Sequence, residues 1–166
     1  MNPFRKERTF FPQRAGSVKF VIQKMDEKDL GEVVAIATST TSNPWSINMF
    51  IDEMSNPLSY CFVVKTKGGS TYPLMGFICF RTIEDESELL NICVHPQYRQ
   101  LGIGKKLMQF YIGLCSKIKI KTFYLEVDSS NQSAIHLYQL FSYQLMGIRK
   151  KFYRGQFDAL LMMKKD

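Results

Sequence analysis

The stretch from Glu88 to Val127 constrains this chain more than any other. It begins with an apolar run over residues 88–94 that reads as a strand. A loop over 95–101 then leads into a helical pattern starting near Gly102, with Ile103, Leu107, Tyr111, Leu114 and Ile118 along one face. Residues 121–127 return to period two: Thr122, Tyr124 and Glu126 point one way, Phe123, Leu125 and Val127 the other. A strand, helix and strand joined in this order form a parallel, right-handed crossover. The chain is therefore expected to be an α/β protein with a mixed sheet.

The flanking sequence extends that sheet. Val18, Phe20 and Ile22 alternate with polar neighbours as a strand would. Asp26 is placed to cap a helix whose apolar face carries Leu30, Val33, Val34 and Ala37, with Asp29 in its first turn. Ser46, after Pro44-Trp45, can cap a short helix through Met49, Phe50 and Met54. Strands are expected at 60–65 and 74–82, separated by the turn sequence Lys67-Gly68-Gly69-Ser70. Ser129-Ser130-Asn131 can cap a helix bearing Ala134, Leu137, Tyr138 and Phe141, and two strands near 143–150 and 156–164 finish the chain, with a turn at Arg154-Gly155. The expectation is one domain over 17–166, with about seven strands in the sheet and helices on both faces. Residues 1–16, which lack periodicity, are expected to form an irregular or mobile arm.

Length and composition agree with this reading. With 166 residues, 45% hydrophobic and 22% charged, the chain can bury one core and is not of disordered composition. No apolar stretch approaches the roughly 20 residues that cross a bilayer, and the basic N-terminus leads into no apolar run, so a cytoplasmic protein is expected, with no membrane partner. Cys61, Cys79, Cys93 and Cys115 sit singly in apolar segments and are expected to be buried free thiols. His95 and His136 have no clustered ligands beside them, so no metal site is expected. A net charge of +7 favours anionic partners without choosing between a phosphorylated cofactor, RNA and an acidic protein surface.

The loop inside the central unit narrows the choice. Arg99-Gln100-Leu101-Gly102-Ile103-Gly104-Lys105-Lys106 joins a strand to an amphipathic helix. Glycine permits close approach of a ligand to the main chain, and the first amides of a helix lack internal partners and attract anions. Lys105 and Lys106 oppose the helix dipole by about 0.3–1 kcal/mol each, a penalty that a bound polyanion reverses. The Gly-Lys-Ser/Thr ending of a Walker loop is absent, and only two glycines stand where a dinucleotide fingerprint has three. The loop by itself points to a pyrophosphate.

The run Asn91-Ile92-Cys93-Val94-His95-Pro96-Gln97-Tyr98-Arg99-Gln100-Leu101-Gly102-Ile103-Gly104 resembles the coenzyme A site of the GNAT acetyltransferase superfamily. Leu125-Glu126-Val127, the segment from Ser130 to Tyr138, Pro44-Trp45-Ser46 and the tail from Ile148 to Tyr153 with Asp158-Ala159 resemble one branch of it, the bacterial ribosomal-protein alanine N-acetyltransferases. The resemblance spans about residues 17–165. It implies acetyl-CoA as cosubstrate. The backbone of Ile92, Cys93 and Val94 would face the pantetheine arm and acetyl carbonyl, with Arg99 beside them. Gln100, Leu101, Gly102, Ile103, Gly104 and Lys105 would hold the pyrophosphate, and Asn131 would bond the cofactor near its thiol. Glu126 matches the family's general base and Tyr138 its general acid. One departure is Phe141-Ser142-Tyr143 where the family often has Leu-Gly-Phe, a serine at a helix C′ position; the loop before the final strand also looks shortened.

The implied chemistry is acetyl transfer to an amine by direct attack in a ternary complex, since no Cys–His pairing offers an enzyme nucleophile. An α-amino group, with its pKa near 7.7–8.0 against 10.4 for lysine, is about 3.5 kcal/mol easier to deprotonate at neutral pH. The expected acceptor is a protein N-terminus, that of a ribosomal protein in particular. Two other readings stay open: a small-molecule amine acetyltransferase acting on a polyamine or amino sugar, and a non-catalytic CoA-binding or ribosome-binding module. Trp45 is either core or part of the acceptor cleft, His136 is expected to be structural, and Tyr153 is an acceptor-side candidate. A monomer or weak dimer is expected, and nucleic-acid contact through the basic arm is left open.

Overall fold

The computed structural model describes residues 11–15, 18–66, 73–153 and 155–166. Eight strands and four helices follow one another as β1 (Phe11–Ala15), β2 (Val18–Lys24), α1 (Leu30–Thr40), α2 (Ile47–Ser55), β3 (Ser59–Thr66), β4 (Leu74–Ile83), β5 (Glu86–Val94), α3 (Ile103–Lys117), β6 (Thr122–Asp128), α4 (Gln132–Leu140), β7 (Gln144–Tyr153) and β8 (Phe157–Lys165). The strands hydrogen-bond in the order β1-β2-β3-β4-β5-β6-β8-β7. β5 runs parallel to β6, from Glu86↔Thr122 to Leu89↔Leu125, as the crossover predicts. The pairs β1–β2, β2–β3, β6–β8 and β7–β8 are antiparallel, so the sheet is mixed.

Two expectations need correction. The seven expected strands are all present, but an eighth, β1, pairs with β2 from Phe11↔Ile22 to Ala15↔Val18. The expected arm therefore does not include residues 11–15, and residues 1–10 lie outside the described residues. Phe11-Pro12-Gln13-Arg14-Ala15 has no alternation and contains a proline, which suits only an edge strand; it is a strand because β2 offers it a row of backbone partners. The turn between β4 and β5 is also tighter than expected. It shrinks to Glu84 and Asp85, with Glu84 at φ 54°. The Lys67–Ser70 turn and Arg154 lie outside the described residues.

The chain forms two compact units, residues 1–80 with 91–107, and residues 81–90 with 108–166. In the first, Met25, Leu30, Val33, Phe50, Val63 and Phe77 are buried in one apolar cluster. Asp26 caps the turn leading into α1 by reciprocal bonding with Asp29, and Asp29, 3% exposed, pairs with Lys65. Ser46 caps α2, its Oγ accepting from the Met49 amide at 3.3 Å. Trp45 packs its ring 5.2 Å from Phe50, which meets Phe77 edge-on at 5.3 Å, so Trp45 belongs to the edge of this core. β4 is buried along Leu74–Phe80 without alternation, the pattern of a strand covered on both faces.

In the second unit β6 alternates as expected, with Phe123, Leu125 and Val127 buried. Tyr111 of α3 is fully buried, meets Phe123 edge-on at 5.7 Å, and donates its hydroxyl to Ser87 Oγ at 2.8 Å. Ser87 in turn donates to the Arg81 carbonyl, which satisfies the buried polar group. The four cysteines are free and buried. Among the described residues no helix is long and apolar enough to cross a membrane.

Candidate active site

The first unit carries most of the residues expected to handle the cosubstrate. β5 runs out at Val94, and the His95 amide donates back to the Met75 carbonyl at 2.8 Å. His95 also caps the next turn, its Nδ1 accepting from the Gln97 amide. Arg99 Nε lies 3.4 Å from the Val94 carbonyl and donates to it, pinning the start of the loop to the end of the strand. The chain then passes through two left-handed residues, Gln100 at φ 62° and Gly102 at φ 78°, a conformation that for a non-glycine residue costs about 1–2 kcal/mol. α3 follows at once. Its first described turn bond is Lys106 N–H to Gly102 O at 3.0 Å, so the amides of Ile103, Gly104 and Lys105 stand ahead of the helical ladder. No acidic residue occupies that first turn, Lys105 is exposed, and the space where a Gly102 Cβ would project is open. Free amides, cations and the absence of a carboxylate fit a pyrophosphate.

Behind β5 stands a residue that sequence reasoning missed. A Cβ on Gly76 of β4 would lie 2.5 Å from the Cys93 carbonyl oxygen and 3.3 Å from Val94 Cα. Only glycine lets the two backbones come this close, and the signal was a glycine inside an otherwise apolar strand. Cys93 itself is 9% exposed, and its thiol meets Thr40 Oγ1 at 3.2 Å. Burial pushes that thiol up from its ordinary value, against the Thr40 bond and the Arg99 charge, which pull it down. A protonated, packed thiol is no nucleophile, which leaves the backbone of Cys93 as what it could offer a ligand.

The second unit carries the groups expected to move protons. Glu126 stands on the polar face of β6 with 24% of its side chain exposed, and Arg149 Nη1 lies 3.0 Å from its Oε1. Asp128, on the same face, is occupied locally, its Oδ1 accepting from the Ser130 amide at 2.8 Å and hydroxyl at 2.7 Å. Burial first, then the carboxylates of Glu126 and Asp128, push the Tyr153 phenol above its ordinary value.

Asn131 is the N-cap of α4, and its Oδ1 accepts from the Ala134 amide at 3.2 Å and the Ser133 hydroxyl at 3.1 Å. Its side-chain oxygen is thus committed to the helix, leaving the amide NH₂ as the group available to a ligand. Tyr138 is 6% exposed and lies where α4 ends. There Ser142 N–H donates to Gln139 O at 3.0 Å and Tyr143 N–H to Tyr138 O at 3.2 Å, a Schellman closure with Ser142 in the left-handed C′ position at φ 66°. Tyr143 packs its ring 6.0 Å from that of Tyr138, the apolar contact that accompanies such a closure. The serine departure therefore keeps the geometry a glycine would give. His136 is exposed on α4. Arg149 is the second residue sequence reasoning missed as an actor: it was legible as part of the tail motif, but its partner lies two strands away. Among the described residues no group of three or more His, Cys, Asp or Glu could hold a metal.

The comparisons with known proteins fall on this same framework. The model of the acetyltransferase (GNAT) family matches residues 30–143. A putative [ribosomal protein bS18]-alanine N-acetyltransferase of Bacillus subtilis is 31% identical over 147 residues, 87% of this chain and 94% of that protein. The [ribosomal protein bS18]-alanine N-acetyltransferase of Escherichia coli K12 is 29% identical over 144 residues, covering 85% and 94%. The crystal structure of the ribosomal-protein-S18-alanine N-acetyltransferase from Escherichia coli superimposes with a TM-score of 0.79 at 28% identity, over 88% of this chain and 93% of that one. The chain belongs to the GNAT family and is an acetyl-CoA-dependent N-acetyltransferase.

Proposed function

We propose that this enzyme acetylates the N-terminal α-amino group of a protein, with the alanine-led N-terminus of a ribosomal protein as its acceptor, and that it works in the cytoplasm. The observation that supports the acceptor is the likeness to two bS18-alanine N-acetyltransferases, each matched over 94% of its own length. The chemistry rests on Glu126: a carboxylate on the polar face of a strand, ion-paired at one oxygen and partly open to solvent.

The reaction has three needs, and this chain has a residue for each. Glu126 takes a proton from the acceptor ammonium, directly or through one water, an assistance of about 10²–10⁴-fold in rate. A backbone N–H on Ile92–Val94 of β5 stabilises the carbonyl oxygen as it gains charge. Tyr138 returns a proton to the departing thiolate. The amine attacks the thioester carbon directly, the C–S bond breaks, and the products are the acetylated N-terminus and free thiol. Gln100–Lys105, with Arg99 beside them, hold the pyrophosphate of the cosubstrate, and the Asn131 amide group bonds it near the thiol.

The test is thiol release from acetyl-CoA with three acceptors: an alanine-led ribosomal peptide, a lysine-bearing peptide blocked at its N-terminus, and a polyamine. Turnover on the first, reduced at least about 100-fold in Glu126→Gln, is expected. Turnover confined to the lysine side chain or the polyamine would overturn the acceptor, and an unimpaired Glu126→Gln would overturn the base.

A further inference from the structure

We infer that Arg149 is a positioning residue for the general base: it reaches across β8 to hold one oxygen of Glu126 and thereby aims the other at the acceptor ammonium. The inference rests on the reading of Glu126 as base.

The path is written in the strand registers. β6, β8 and β7 are consecutive neighbours, and Asp128↔Ala159 continues into Ala159↔Arg149. Paired residues point to the same face of a sheet, and residues two apart on a strand share that face. Arg149 therefore stands on the face that carries Asp128 and Glu126, two strand spacings from β6. Strands lie about 4.8 Å apart, so a side chain making this reach must pass over β8. The β8 residue in register with Arg149 is Ala159, which is fully buried and presents only a methyl group. The next β8 residue on that face, Leu161, is in register with Gly147, and its Cδ1 lies 3.4 Å from where a Gly147 side chain would begin. A small residue under the arginine and a glycine beside the leucine keep the path clear.

At the far end the bond is specific to one oxygen. Arg149 Nη1 meets Oε1 at 3.0 Å, while Oε2 has no hydrogen-bond partner among the described residues. The guanidinium also lies over the Phe152 ring, 5.5 Å from Cζ to centroid. Several neighbouring groups of these strands are otherwise engaged or neutral. Asp128 is held by Ser130, Lys150 pairs with Asp158 at 3.0 Å, and Tyr153 is kept neutral by burial and the two carboxylates. A pair this exposed contributes little to stability. Its effect is to leave one lone-pair-bearing oxygen in a fixed direction, and misplacing a catalytic group by about 1 Å can cost 10²-fold in rate.

The experiment measures kcat and both KM values, with acetyl-CoA and the alanine-led peptide, for the parent, Arg149→Met, Arg149→Lys, Ala159→Leu, Glu126→Gln and the Glu126→Gln/Arg149→Met double variant. Arg149→Met is expected to lower kcat about tenfold or more with KM for acetyl-CoA unchanged, and Arg149→Lys to recover part of the loss. Ala159→Leu, which keeps both charges and fills the path, is expected to behave like Arg149→Met. In the Glu126→Gln background, removing Arg149 is expected to change nothing further, because it acts through the carboxylate. Unchanged kcat in Arg149→Met, or losses that multiply in the double variant, would overturn the positioning role while leaving Glu126 as base. An active Glu126→Gln would overturn both, and that result is read without touching Arg149.

Discussion

β4 and β7 set out two ways of building a site. β4 is buried over its first seven residues, and its Gly76 fits against the Cys93 carbonyl of β5 with no room for a methyl group. β7, at the end of the sheet order, is exposed at eight of its ten residues, and what it contributes is a side chain, Arg149, extended to a carboxylate two strands away. Where the backbone itself is to serve as donor and acceptor, the core fixes it by close packing. Where, in the proposed mechanism, a proton is exchanged with an incoming amine, the group stands on a partly open face and is ion-paired to Arg149. The first arrangement tolerates almost no change in volume; the second tolerates volume but not the loss of a partner.

Perturbing the packed side should give the larger change in stability. Gly76→Ala places a Cβ 2.5 Å from a backbone oxygen, and relieving such overpacking costs about 1–3 kcal/mol. A lower melting temperature and a raised KM for acetyl-CoA are expected together, since the displaced atoms are those of Cys93 and Val94; an alanine enzyme with unchanged melting and kinetics would break the comparison.

The interior also predicts a response to alkali. Burial pushes the Cys115 thiol up to about 12 and raises the Cys79, Cys93 and Tyr111 groups. Each is an acid whose folded pKa lies above its unfolded one. The neutral form is therefore favoured by folding, its contribution is complete below the unfolded value, and it is lost as pH rises through the folded value. Thermal melts are expected to hold steady up to about pH 8.5, where an unfolded thiol begins to ionise, and to fall progressively above it. A melting temperature flat to pH 11 would contradict the packed, protonated thiols.

The smallest effect belongs to the α4 closure. Ser142 holds φ 66°, and glycine takes that conformation without the penalty of a side chain, so Ser142→Gly should add up to about 1 kcal/mol. Denaturant unfolding would register this as a higher midpoint at unchanged slope, with kcat unaltered because Tyr138 keeps the same closure. A destabilised glycine variant would mean that the serine side chain itself holds the turn.

Periodicity was sufficient for most of the fold because most elements here have one decisive face. The alternation of Phe123, Leu125 and Val127, the i, i+4 series from Ile103 to Tyr111, and the caps at Asp26, Ser46 and Asn131 are all local signals, and they place β6, α2, α3 and α4 to within two residues, while Asp26 caps a 3-10 turn over Glu27–Asp29 that runs on into α1 at Leu30. β1 was not legible because its conformation comes from a neighbour's hydrogen bonds and not from its own residues. The loop from Arg99 to Lys105 was legible as a candidate anion site because it sets glycines and lysines at a helix start. Gly76 was visible only as a glycine in a strand, since its meaning depends on which carbonyl lies opposite. Arg149 was visible only as a cation in a tail, since its meaning depends on β8 entering the sheet between β7 and β6.

Sequence by itself therefore determined the kinds of chemistry available: a glycine- and lysine-bearing turn at a helix start, a carboxylate at a strand end, a phenol on a helix, and an α/β framework to carry them. These follow from backbone periodicity and local capping, which act over a few residues. The tertiary structure decided which groups are partnered and which are free. It buried the Cys93 thiol and turned its carbonyl toward Gly76, spent the Asn131 oxygen on a helix cap, and ion-paired one oxygen of Glu126. Those outcomes depend on strand order and register, which bring together residues far apart in the chain, and no local pattern specifies them.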